Sequence, residues 1–223
     1  MAFNRSPDRL PVSVAEAQLA RIASEGSSRH VHLNALVEAG GPHIGRDLAD
    51  AIHLLCSLHG RHPGVVELAF QRCEHGPVKS WLRLAADVFE KERLYLVRLT
   101  SAVGPVPSTP GAAQTEASLN AQRNALETLA LSERNGCALG AVTALMLDWA
   151  PVRRLLDRTA DRLGIVPPPV NRDDQSTIVE VLEHACAQPS VQRAMTFGAE
   201  QLLLQHRALF ELLEARASAR GDY

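Results

Sequence analysis

Phenylalanine, tryptophan and tyrosine make up only 4% of this chain, which argues against the aromatic and β-branched strands of a sandwich or barrel. Cysteine is also scarce. Cys56, Cys73, Cys137 and Cys186 stand far apart with no C-x-x-C and no zinc-finger spacing, so each reads as a small buried hydrophobe. Neither sign of charge dominates: 23 basic residues face 25 acidic ones, scattered along the chain. That removes the electrostatic footprint of sequence-independent nucleic-acid binding, and no nucleic-acid partner is expected. Long apolar runs are missing too. The apolar stretch Cys137 to Leu147 has 11 residues, about half of the roughly 20 that a spanning helix needs. No membrane association is expected, and an N-terminus without the apolar core of a secretory signal points to the cytoplasm. The catalytic signatures G-x-G-x-x-G after a strand, G-x-x-x-x-G-K-[ST], G-x-S-x-G and H-E-x-x-H are all absent.

What is present is a chain of ordinary globular make-up, 46% hydrophobic and 22% charged, whose apolar mass is Leu, Ala and Val in long stretches. This predicts an all-α, single-domain multi-helix bundle over 1–223, with four or more main helices, short N-terminal helices and flexible termini at 1–12 and 218–223. Ser13 followed by Glu16 is a capping box that starts the first helix. Ile44, Leu48, Ile52, Leu55 and His59 recur at steps of three and four and mark a helix over 44–59. A short helix follows Pro63. From Ser80 to Thr100, Arg83, Asp87, Lys91 and Arg98 share one face, with Trp81, Ala85, Val88, Leu96 and Leu99 opposite.

The irregular segment 101–113 is a proline-rich loop; Thr109 is expected to cap, and Pro110 to open, a long helix reaching Asp148 with a break near Asn135-Gly136. Gly136, Gly140 and Ala144 are spaced by four and form a smooth face on which another helix can approach closely. Pro151 is expected to start a further helix to Leu163. An extended connector over 164–175 then leads to two last helices, near 176–187 and 189–217.

Candidate site residues are polar interruptions of these apolar stripes, because a titratable group on a stripe is buried, and burial demands a partner, a proton or a metal. Four qualify: Glu92 in the Trp81 to Leu99 stripe, Glu133 in line with Leu119, Leu126 and Leu129, His206 in the Val191 to Leu213 stripe, and His59 at the end of Ile44 to Leu55. Two carboxylates and two imidazoles are the ligands with which bundles hold iron, manganese or zinc. Asp50 and His53, three apart, form a second candidate pair. In the alternative reading each histidine bonds a backbone carbonyl and each glutamate meets an arginine, with Arg61, Arg93 and Arg134 available.

ERLYLVRLTSAVGPVPSTPG (Glu92 to Gly111) and SERNGCALGAVTALMLDW (Ser132 to Trp149) resemble a bacterial family of unknown function, a resemblance that implies no activity. Four main helices with inward Glu and His also resemble the ferritin-like and haem-oxygenase-like superfamilies in architecture. Ferritin-like di-iron proteins carry Glu-x-x-His on two helices, however, and this chain has none; Asp50-Ala-Ile-His53 is the nearest. Two functional readings follow. One is a non-enzymatic binding or assembly module contacting a protein, a small molecule or a second copy in a homodimer. The other is a metal-binding oxidoreductase with Glu92, Glu133, His206 and His59 as ligands.

Overall fold

The computed structural model describes residues 13–38, 40–74, 76–170, 175–186 and 188–221. Within them the chain forms α1 (Val14–Glu25), a 3-10 turn (Ser27–Arg29), α2 (Val31–Glu38), α3 (Ile44–His59), α4 (Val65–Arg72), α5 (Pro77–Ala102), α6 (Ala112–Ala130), α7 (Cys137–Arg162), α8 (Gln175–Ala185) and α9 (Pro189–Arg220). No strand occurs among the described residues, and none of their helices is long and apolar enough to cross a membrane. Of the stretches expected to be flexible or extended, 1–12, the last two residues of 218–223 and part of the 164–175 connector lie outside the described residues, whereas Ser218 to Arg220 continue α9.

The Ser13 and Glu16 capping box is present in both directions, with Ser13 N–H donating to Glu16 Oε2 at 3.0 Å and Glu16 N–H to Ser13 Oγ at 3.1 Å. The stripes on α3 and α5 face one continuous core with Leu145, Leu155, Leu156, Leu202 and Phe210. At the centre α7 packs along α9 in the most extensive helix pair of the molecule. The small-residue face makes this possible. A Cβ on Gly140 would lie 2.0 Å from the Met195 carbonyl oxygen, and one on Gly198 2.0 Å from that of Cys137. The face is therefore occupied within the chain by α9.

The break expected near Asn135-Gly136 is present: the turn 131–136, in which Gly136 adopts φ 96, separates α6 from α7. Two expectations need correction. Pro151 does not begin a helix: α7 runs through it to Arg162. A proline inside a helix costs about 3 kcal/mol, and the buried turns around it (Leu145, Trp149, Val152, Leu155 and Leu156) offset that loss. Thr109 does not cap α6, which starts at Ala112 behind a left-handed Gly111. Its hydroxyl instead accepts from Arg216 Nη2 at 3.2 Å and Arg220 Nη1 at 2.9 Å, tying the proline-rich loop to α9.

Candidate functional site

The four polar interruptions have three different fates. Glu92 on α5 is buried and fully engaged, since Arg153 Nη1 donates to Oε1 at 2.6 Å and Trp149 Nε1 to Oε2 at 3.0 Å. Its partner is thus an arginine of a neighbouring helix, Arg153 in place of Arg61, Arg93 or Arg134; Arg93 pairs with Glu67 and Glu90 instead. Glu133 leaves the core altogether. The turn 131–136 resets the helical phase, so Glu133 is exposed and lines a cavity of about 590 Å³ with Arg72, Cys73 and Arg134. His59 and His206 do meet, with their Nε2 atoms 3.2 Å apart.

The histidine pair belongs to a longer chain. Asp148, only 1% exposed, accepts from Ser27 N–H at 2.7 Å and Ser27 Oγ–H at 2.5 Å, and from His206 Nδ1 at 2.8 Å. A carboxylate only accepts, so His206 carries a proton on Nδ1. With both imidazoles neutral, His206 Nε2 accepts from His59 Nε2–H, which leaves a lone pair on His59 Nδ1. That nitrogen has no partner among the described residues. His59 contributes to the wall of a cavity of about 370 Å³ between α3, α4, α5 and α6, with Leu68, Phe89, Asn124 and Leu126.

Local sequence explains each position. Gly26 allows the 3-10 turn to press against α7, because a Cβ there would lie 2.5 Å from Asp148 Oδ1. His59 ends α3 and is wedged edge-on between Phe89 and Trp149, with ring centroids at 6.2 and 5.4 Å. Burial, then the neighbouring His206, then Arg93 hold His59 well below its ordinary value. Burial likewise lowers His30 and His32.

These depressed values carry a pH dependence whose sign is fixed. A histidine kept neutral by the fold binds its proton more readily when unfolded. The stability contributed is complete above the unfolded pKa, near 6.5, and is lost as pH falls below it. The melting temperature is therefore expected to drop between about pH 7 and 5.5, before ordinary carboxylates titrate. His59→Gln should flatten that slope, and calorimetric melting across the window checks it; an unchanged slope would exclude His59 as a contributor.

Among the described residues, one group of three side chains could hold a metal: His62, Glu67 and Glu90, with ligand atoms within 4.8 Å of one another. A cation is already there. Arg93 Nη2 donates to Glu67 Oε1 at 2.7 Å, while its Nη1 reaches Glu90 and, at 3.1 Å, His62 Nδ1. Asp50 and His53 diverge as well: Asp50 takes Arg216 and Arg220, and His53 Nε2 lies 2.8 Å from the Gly104 carbonyl.

Sequence reasoning missed Ser27 and Asp148. Asp148 had a signal, as the first charge after the apolar run from Cys137 to Leu147, on the helix already read as buried. Ser27 had none, because a serine after Gly26 reads as an ordinary turn.

Fold and site together define an all-α bundle enclosing a buried serine, aspartate and two-histidine chain that ends at a cavity. The protein belongs to a family of unknown function (DUF6975), matched over residues 22–221, nearly the whole length. No curated protein and no solved structure matches it.

Proposed function

We propose that the protein is a binding module for a small molecule held in the cavity between α3, α4, α5 and α6. The observation that carries this reading is the buried Asp148–His206–His59 chain, which ends in the wall of that cavity with an unused acceptor nitrogen. A buried polar chain is expensive unless every member is satisfied, and a ligand donor would satisfy the last one. The small-residue face, the other feature suited to a partner, is taken by α9. A ligand-observed NMR screen of small fragments against the wild type and Asn124→Trp tests the proposal. Asn124 is exposed on the cavity wall, so an indole there fills the opening. Fragments that bind the wild type and are lost in the filled variant are expected; fragments that bind both alike, or bind neither, overturn it.

A second reading draws on the same pair. A carboxylate on Nδ1 of His206 is what usually stands behind a metal-ligating imidazole, which keeps iron, manganese or zinc between His59 and His206 in play. Two nitrogens fall short of the three protein ligands of a catalytic zinc, since Glu92 is committed to Arg153 and Trp149 and Glu133 lies in the exposed turn. Elemental analysis decides: stoichiometric metal that disappears in His206→Gln would replace the small-molecule reading.

A further inference from the structure

Resting on the small-molecule reading, the cavity's own side chains define the chemistry of what it holds. Arg61 lies just beyond the end of α3, and Arg123 projects from α6 on the same cavity. Arg123 is steered by its neighbours, with Nη1 donating to the Ser57 carbonyl at 3.3 Å and Nη2 to Asn120 Oδ1. Neither arginine forms an ion pair among the described residues, and Glu127, the carboxylate on the same wall, binds neither of them. The third nearby cation, Arg93, is already neutralised by Glu67 and Glu90. Desolvation and then the charge of Arg61 push the Arg123 guanidinium below its ordinary value, against a smaller opposing pull from Glu116. Two guanidinium groups that repel each other are relieved by an anion placed between them, and their planar donors match the oxygens of phosphate or carboxylate.

At the buried end the requirement reverses. His59 is 6% exposed, its Nε2 is committed to His206, and its Nδ1 lone pair accepts only from a donor. The volume, about 370 Å³, is at the small end of ligand cavities.

We propose that this cavity binds a small molecule with a phosphate or carboxylate at one end, held by Arg61 and Arg123, and a hydroxyl or N–H donor at the other, received by His59. Ion-pair recognition at the mouth supplies affinity, and the inner hydrogen bond selects among anions.

Calorimetric titration with two matched pairs of probes, acetate with glycolate and inorganic phosphate with glycerol 3-phosphate, tests this. One pair is expected to bind, which identifies the anion, and its hydroxylated member should bind about tenfold more tightly. Arg61→Gln with Arg123→Gln should weaken both members of that pair by about tenfold or more. His59→Phe should erase the advantage of the hydroxyl and leave the simple anion bound. If His59→Phe does not fold, as judged by circular dichroism, His59→Gln replaces it and should reduce the same advantage. Binding that survives the double glutamine substitution, an absence of binding by all four probes, or a hydroxyl advantage untouched at His59 overturns the proposal. The two levels fail separately: fragments lost in Asn124→Trp together with no anion binding would retire the anion and leave the cavity standing.

Discussion

Gly198→Ala is expected to lower stability by about 3 kcal/mol, although it adds a single methyl group to a helix. Intrinsic propensity alone argues the opposite, since alanine in a helix interior is favoured over glycine by about 1 kcal/mol. Packing decides the sign. The added Cβ would lie 2.0 Å from the Cys137 carbonyl oxygen and 3.1 Å from the Ala141 nitrogen, and both are backbone atoms that cannot rotate away. Relief requires prising α9 from α7 along the central contact of the bundle. Gly140→Ala meets the Met195 carbonyl at the same 2.0 Å from the other side, so it should behave alike. The double variant should lose less than the sum, because one separation of the helices relieves both clashes. Denaturant midpoints measure this, and a rise in midpoint for Gly198→Ala would show that the helices are farther apart than described.

Asp50→Ala should be at least as damaging, at about 3–5 kcal/mol. Asp50 is 0% exposed and takes Arg216 in a two-pronged pair, Nη2 to Oδ1 at 2.7 Å and Nε to Oδ2 at 2.9 Å, while Arg220 reaches Oδ2 at 2.6 Å. Truncating the carboxylate strands the Arg216 charge in the core, where desolvation is no longer offset. Replacing the whole pair by apolar residues, Asp50→Leu with Arg216→Met, should recover much of the loss, since the penalty lies in the orphaned charge. Chemical denaturation of the single and double variants checks this. A double variant no better than Asp50→Ala would mean that the bonds Arg216 donates to the hydroxyls of Thr109 and Thr115, at 3.2 and 3.0 Å, matter more than the charge.

The fold was legible wherever one helix carried its own signal. The Ser13 and Glu16 box, the 44–59 stripe and the two faces of α5 are local patterns, and local patterns survive folding. The spacing of Gly136, Gly140 and Ala144 announced a close contact, but its partner, Gly198, lies in a distant helix with no mark of its own. Pro151 misled because an internal proline and a first-turn proline look identical until the burial of neighbouring turns is known. At the site, stripe reasoning brought His59 and His206 forward correctly as buried polar groups. It mistook Glu133 because helical phase cannot be carried across a break. It also missed that Glu92 would find Arg153, since which arginine meets which carboxylate depends on helix packing that no single stripe encodes.

The hydrogen bonds of the buried chain have a sense of direction. With both imidazoles neutral, His59 donates to His206 and His206 to Asp148, so neither can change tautomer alone without opposing two N–H groups or leaving the carboxylate short of a donor. A donor entering the cavity lengthens this run by one member, and each member polarises the next. Ser27, which holds Asp148 in place, borders a separate opening beside His30 and Arg207. What the cavity accepts on one side of the bundle is thus written by a carboxylate anchored from another opening.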